Sequence, residues 1–302
     1  MQKILLYYKF TPIQDAEAIK LWQKSLCENL SLRGRILISR QGLNGTVGGD
    51  IEDLKRYIKQ TKQYAGFKDT IFKWSDGKRE DFPRLSVRTR RELVGFKNSD
   101  SEFSVDEQGV VGGGVHLKPE QVNEMVERFG DDVVFFDGRN ELEAKVGKFK
   151  GARVPNTLTS RDFIAELDSD KYDDVKDKKI IAYCTGGIRC EVITAMMKKR
   201  GFKDVYQMDG GIVKYGEKYG DNGLWEGALR VFDDRKIITF SQQAKMIGEC
   251  IHCGSKTSNL ENCAFQECNN FVLICEACCA DANKLYHTDE CRMNEAILVA
   301  SR

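Results

Sequence analysis

The stretch Lys179-Lys-Ile-Ile-Ala-Tyr-Cys184-Thr-Gly-Gly-Ile-Arg189-Cys190 says most about how this chain folds. Its apolar run reads as a buried strand that ends on a cysteine, and two glycines separate it from a helix predicted over Arg189 to Arg200. In a strand–loop–helix of this kind several backbone N–H groups and the positive end of the helix dipole converge on one sulfur. Those groups favour thiolate over thiol, so Cys184 is expected to be ionised, nucleophilic and able to carry a persulfide. The alternative, a strand-end thiol that merely packs, leaves Gly186 and Gly187 without a purpose, whereas an anion-binding turn needs them.

To either side, strands and helices alternate over 115–220. Helices are expected at Pro119–Phe129, Glu141–Val146, Arg161–Leu167 and Ile212–Tyr219, and further strands at Val133–Asp137 and Val205–Met208. That alternation implies a parallel sheet with helices on both faces. Ligands of such sheets bind at the carboxyl ends of the strands, where Asp137 and Cys184 both fall.

Residues 1–97 read as a separate ferredoxin-like β-α-β-β-α-β domain. Lys3–Phe10 alternates as a strand, Asp15–Leu30 and Asp53–Tyr64 are amphipathic helices, and Thr70–Trp74 is another strand. The segment Gln41-Gly-Leu-Asn-Gly45 is expected to be a loop between strands Arg35–Ser39 and Thr46–Gly49. A further strand, Leu85–Phe96, would carry Arg84, Arg88 and Arg90 on one face, with Arg91 beside them, a row suited to phosphate contact. Residues 1–100 hold 20 Lys/Arg against 12 Asp/Glu, so +8, while the rest hold 27 against 34, so −7. A basic third on a chain of net charge +1 points to a polyanionic partner. Residues 98–114 are polar, end in three glycines and read as a linker, and His116 is expected to be a linker residue too.

Residues 221–302 form a cysteine-rich segment holding eight of the eleven cysteines. Cys250-x₂-Cys253 and Cys275-x₂-Cys278 have the spacing of a tetrahedral zinc site. Cys263, Cys268, His287 and Cys291 could supply a second, interleaved one, with Cys279 spare. Eleven cysteines without an export signal argue for metal or thiol chemistry rather than disulfides. Met1–Lys9 has too short an apolar stretch for a signal peptide, and no apolar run approaches the roughly 20 residues that span a bilayer. A cytoplasmic protein with no membrane or protein partner is expected.

Loop length narrows the chemistry. Cysteine phosphatases place five residues between cysteine and arginine; here four separate Cys184 from Arg189, a cradle suited to a smaller group. Residues 115–220 resemble the rhodanese family: Asp137-Gly-Arg139 is similar to its strand-end Asp-x-Arg, Gly147-Lys-Phe-Lys-Gly151-Ala152 to its Gly-His-x-x-Gly-Ala turn with Lys148 in place of His, and Asp209-Gly210-Gly211 to its closing glycines. Cys184 would be the nucleophile, and the amides from Thr185, Gly186, Gly187 and Ile188 to Arg189 and Cys190 would stabilise charge on it. Asp137 and Arg139 would hold the loop. Arg189 would bind an anion or orient the loop, and Cys190 would pack or resolve an intermediate.

With its basic ferredoxin-like domain and a tail opening Leu224-Trp-Glu-Gly227 and Val231-Phe-Asp-Asp-Arg235, the chain as a whole resembles the bacterial oxygen-dependent tRNA uridine hydroxylases (TrhO family). The resemblance implies 5-hydroxylation of the wobble uridine of tRNA, with molecular oxygen as co-substrate and an essential cysteine at Cys184. No flavin, dinucleotide or two-histidine-one-carboxylate iron motif is visible. On the residues alone, a sulfurtransferase or persulfide carrier and a zinc-stabilised RNA-binding adaptor remain open.

Overall fold

The computed structural model describes residues 1–97, 101–231, 233–268 and 270–300; the first three residues of the expected linker, Phe232, Asn269 and the last two residues of the tail lie outside them. The N-terminal strands β1 (Gln2–Phe10), β2 (Arg33–Ser39), β3 (Gly42–Asp50), β4 (Ile71–Ser75) and β5 (Leu85–Thr89) form one sheet in the order β4-β1-β3-β2-β5. Helices α1 (Ala16–Asn29) and α2 (Ile51–Thr61) bury Ile19, Leu26, Leu54 and Tyr57 against one face. Alternation sends Leu5, Tyr7, Ile36 and Ile38 into that core and leaves Leu6, Tyr8, Arg35, Leu37 and Lys73 on the opposite, helix-free face.

Two local expectations are corrected. The glycines at Gly42 and Gly45 lie inside β3 rather than in a loop, and the turn is Arg40–Gln41. A side chain at Gly45 would overlap the Tyr7 ring, and one at Gly42, whose φ is +144°, would strike the carbonyl of Lys9; close strand approach, not chain reversal, explains them. The last strand ends at Thr89 instead of Phe96. Beyond it, Leu93, Val94 and Phe96 are buried in the next domain's core, where Phe96 meets Phe163 edge-on at 5.9 Å.

The expected linker is docked rather than loose. Its short hairpin, β6 (Val105–Asp106) with β7 (Gly109–Val110), packs Phe103, Val105 and Val110 on the core. Next come β8 (Val115–Leu117), α3 (Pro119–Phe129), β9 (Val133–Asp137), α4 (Glu141–Val146), β10 (Gly147–Phe149), α5 (Phe163–Leu167), β11 (Lys179–Tyr183), α6 (Ile188–Lys199), β12 (Asp204–Met208) and α7 (Gly211–Tyr219). Strands β8-β12-β11-β9 make the parallel sheet, with α5 and α6 on one face and α3 and α7 on the other. His116 belongs to β8, paired beside Gln207, and is not a linker residue.

The tail begins with β13 (Trp225–Gly227), which pairs with β10 and buries Trp225. It continues through the two-stranded pairs β14 (Leu229–Arg230) with β15 (Ile237–Ile238) and β16 (Leu260–Asn262) with β17 (Phe271–Leu273), then α8 (Glu276–Cys279) and α9 (Asp289–Ala300). Its own core is largely sulfur: Cys250, Cys263, Cys278 and Cys291 pack with Phe265, Val272 and Ile274. Among the described residues no helix is long and apolar enough to cross a membrane.

Candidate active site and metal centres

Cys184 follows the central strand β11 and has no solvent-exposed surface. Gly187, at φ +103°, turns the loop so that its N–H donates to the Cys184 Sγ at 3.1 Å. Burial pushes the thiol up, but the Cys190 thiol, the Arg189 guanidinium and the N–H groups of Cys190 and Gly187 outweigh it and bring Cys184 down to about 5. Cys190 is driven the other way, well above the usual thiol range, by burial and by the neighbouring sulfur. The surroundings therefore favour a thiolate at Cys184 and a thiol at Cys190.

Arg189 is held by Glu143, a residue that no local motif singles out. Its two terminal nitrogens donate to the two carboxylate oxygens at 2.8 and 3.0 Å, and one reaches Thr185 Oγ1 at 3.3 Å. Glu143 is fully buried; burial raises its carboxyl, yet Arg189 and then Arg139 hold it below the ordinary range. The guanidinium thus lends its charge to Cys184 while its donors are largely occupied, which suits orienting the loop better than gripping an anion.

Asp137 and Arg139, both fully buried, form a closed unit beneath the loop. The Asp137 carboxylate accepts from Arg139 Nε at 2.9 Å and from a terminal nitrogen at 2.7 Å, and Tyr183 Oη donates to it at 2.8 Å. Arg139 also donates to the Gly147 carbonyl at 2.6 Å and lies 5.2 Å from the Trp225 ring centre. These donors and acceptors are engaged by neighbours within the protein, as in a scaffold.

The helix-free face of the N-terminal sheet covers the loop. Lys73 Nζ donates to the Gly186 carbonyl at 2.8 Å, and Tyr8 Oη donates to Glu191 Oε1 at 2.9 Å. From the tail, Arg235 donates to Ser75 Oγ at 3.1 Å. Between these parts lies a cleft of about 360 Å³ whose wall includes Cys184, Thr185, Arg189, Lys73, Tyr8 and Arg35. Arg88 sits beside Leu37 in the β2–β5 register, and the Arg90 N–H donates to the Ile38 carbonyl. Arg35, Arg88 and Arg90 are close enough that burial, then Arg90 and Arg88, lower the Arg35 guanidinium. Period-two reading of β2 could have found Arg35; Glu143, 46 residues from its partner, left no local signal. Arg84 and Arg91 are exposed near the two ends of the strand. Trp74, at 37% exposure, lies on edge strand β4.

In the tail the sulfurs of Cys250, Cys253, Cys275 and Cys278 all lie within 4.8 Å of one another. The Cys253–Cys275 separation is 3.6 Å, against about 3.8 Å for the edge of a tetrahedron with metal–sulfur bonds of about 2.3 Å. Backbone N–H groups of Cys275, His252 and Cys253 point at Cys250 and, against its burial, hold that thiol down to about 6. This donor set fits a metal ion. Cys263, Cys268 and Cys291 form a second group, and the His287 backbone N–H donates to Cys263 Sγ at 3.2 Å. Cys279 belongs to neither group. The described cysteines form no disulfide.

A parallel sheet whose central strand delivers a cysteine into an amide-lined loop defines a rhodanese-type protein, here built onto an acylphosphatase-type sheet. Family models agree: residues 2–93 match a UPF0176 acylphosphatase-like domain, 118–218 a rhodanese-like domain and 226–292 a rhodanase C-terminal domain. A tRNA uridine(34) hydroxylase of Corynebacterium glutamicum is 57% identical over 300 residues, covering 99% of this chain and 95% of that protein. One from Corynebacterium urealyticum is 60% identical over 279 residues, covering 92% and 94%. The chain belongs to the tRNA uridine(34) hydroxylase family.

Proposed function

We propose that this protein is an enzyme that hydroxylates the uridine at position 34 of tRNA at C5, with molecular oxygen as co-substrate and Cys184 as nucleophile, in the cytoplasm where tRNA resides. The observation that carries the reading is the cleft itself, which brings a low-pKa thiolate and Arg35 of the arginine cluster into one wall. A single-stranded anticodon loop can splay one base towards the sulfur while its phosphates rest on Arg35, Arg88 and Arg90. Thiolate addition to C6 of uracil would give C5 enolate character and open it to oxygen. Asp137, Arg139, Glu143 and Arg189 hold the loop in place. Nucleoside mass spectrometry of tRNA from a deletion strain, complemented with the wild type or Cys184→Ser, tests the reading.

The arginine face makes its own prediction. Arg35→Ala combined with Arg88→Ala should weaken tRNA binding by roughly tenfold and reduce the salt dependence by about one counterion per residue. Filter binding at several salt concentrations checks it; an unchanged salt slope would remove these side chains from the interface.

The thiol groups of the tail are proposed to hold structural zinc. With so little carbon in its core, the tail would depend on the metal to fold. Cys250→Ser should lose about one zinc per chain by mass spectrometry of the purified protein and lower its melting temperature. Equal zinc content in variant and wild type would contradict the assignment.

A further inference from the structure

A second cavity, of about 460 Å³, lies on the other side of Tyr8 and Lys73 from the Cys184 cleft; both side chains line both spaces. Its wall includes His116, Glu191 and Asp209. Three groups connect the two spaces. His116 Nε2 is 2.9 Å from Glu191 Oε1, and Tyr8 Oη donates to that same oxygen at 2.9 Å. The His116 side chain is 51% exposed and that of Glu191 only 13%. At the far end, a Cβ built on Gly187 would come within 2.9 Å of the Tyr8 hydroxyl. The chain therefore runs from an open, polar cavity to the backbone that holds the Cys184 thiolate.

We propose that His116, Glu191 and Tyr8 form a proton relay that feeds the reaction cleft. This rests on the hydroxylation reading. Addition of dioxygen at an enolate C5, with the enolate's electron pair forming the C–O bond, leaves a peroxy anion whose protonation consumes one proton, and Cys184 beside it has no solvent-exposed surface. In each relay step Tyr8 Oη gives its proton to an oxyanion in the cleft. The Nε2 proton of the His116 imidazolium moves to Glu191 Oε1, and that proton moves on to Tyr8 Oη. Tyr8 and Glu191 end as they began, and the neutral imidazole is reprotonated from the outer cavity. One proton crosses and no electrons move. Tyr8 is the catalytic residue; His116 and Glu191 act through it.

The charge surroundings keep the relay loaded. Glu191 raises the His116 imidazolium above its ordinary 6.5, first through its hydrogen bond, with Asp209 adding to the effect, while burial and Lys73 oppose it. Burial and then Glu191, with the sulfurs of Cys184 and Cys190, keep Tyr8 protonated. Burial raises the Glu191 carboxyl, but His116, Gln207 and Tyr8 together keep it below its ordinary range. As pH rises through the raised His116 value the imidazolium is lost, so delivery should fail on the alkaline side.

The test is single-turnover formation of 5-hydroxyuridine in tRNA under air, from about pH 5.5 to about 9, with tRNA affinity and melting temperature measured alongside. Wild type should show an alkaline limb with its inflection above 6.5. Tyr8→Phe should lose roughly 10²-fold in rate at unchanged tRNA affinity, and His116→Gln should be slow with that limb gone. A His116→Gln profile that superimposes on wild type, or a Tyr8→Phe enzyme with wild-type rate, overturns the relay while leaving the hydroxylation intact. A wild-type enzyme that forms no 5-hydroxyuridine overturns the reading beneath it.

Discussion

Glu143→Gln is expected to destabilise the protein by about 3–5 kcal/mol, the usual cost of leaving one member of a buried ion pair without its partner. The Arg189 side chain is only 13% exposed and the Glu143 side chain not at all, so water cannot take over the lost interaction. The introduced amide could still accept one hydrogen bond, but the guanidinium would lose its principal counter-charge, with only the Cys184 thiolate and Asp137 left to oppose it. The variant should also lose the orientation of the loop, because the same carboxylate fixes Arg189 and accepts the Asn140 N–H at 3.2 Å to start α4. Urea unfolding, read together with the Glu143→Leu, Arg189→Leu double variant, checks this. The double variant should recover part of the loss, since removing both members of the pair leaves neither buried without the other. If Glu143→Gln alone is as stable as wild type, the pair does not support the loop.

Cys184→Ser should lower the rate of uridine hydroxylation by a factor on the order of 10³ or more, since a serine hydroxyl in the same cradle is not ionised. The corresponding physical signature is a thiolate that survives into acid. The difference in ultraviolet thiolate absorbance between wild type and Cys184→Ser should persist at neutral pH and vanish only as pH falls through about 5, whereas an ordinary cysteine ionises at about pH 8.5. The sign follows from the folded state, in which the Cys190 thiol, Arg189 and two backbone N–H groups favour the charged sulfur over the opposition of burial. A difference signal that appears only above about pH 8 would show that burial wins.

What is legible in the residues alone is the local chemistry. The strand into Cys184, the paired glycines and the helix behind them announce an anion loop because backbone turns have few solutions and each leaves its mark in Gly or apolar positions. The Cys-x₂-Cys spacing likewise brings Cys250, Cys253, Cys275 and Cys278 to one place. What fails to show is long-range. Nothing near Glu143 says that it will meet Arg189, and nothing near His116 says that β8 will set it against Glu191 on α6. Gly42 and Gly45 mislead for a related reason: glycine marks both turns and close strand approach, and only the position of Tyr7 and Lys9 across the sheet distinguishes them. The arginine row is visible along and beside β5, but its completion by Arg35 on the neighbouring strand requires the register Leu37↔Arg88.

Above all, Cys184, in the cleft beneath the basic sheet, is proposed to act on uridine 34 of tRNA. The decisive measurement is nucleoside mass spectrometry of tRNA from a strain lacking this protein, with the wild type or Cys184→Ser supplied in trans under air. The expected result is 5-hydroxyuridine with the wild type and none above background with Cys184→Ser. Equal 5-hydroxyuridine from both would contradict the proposal.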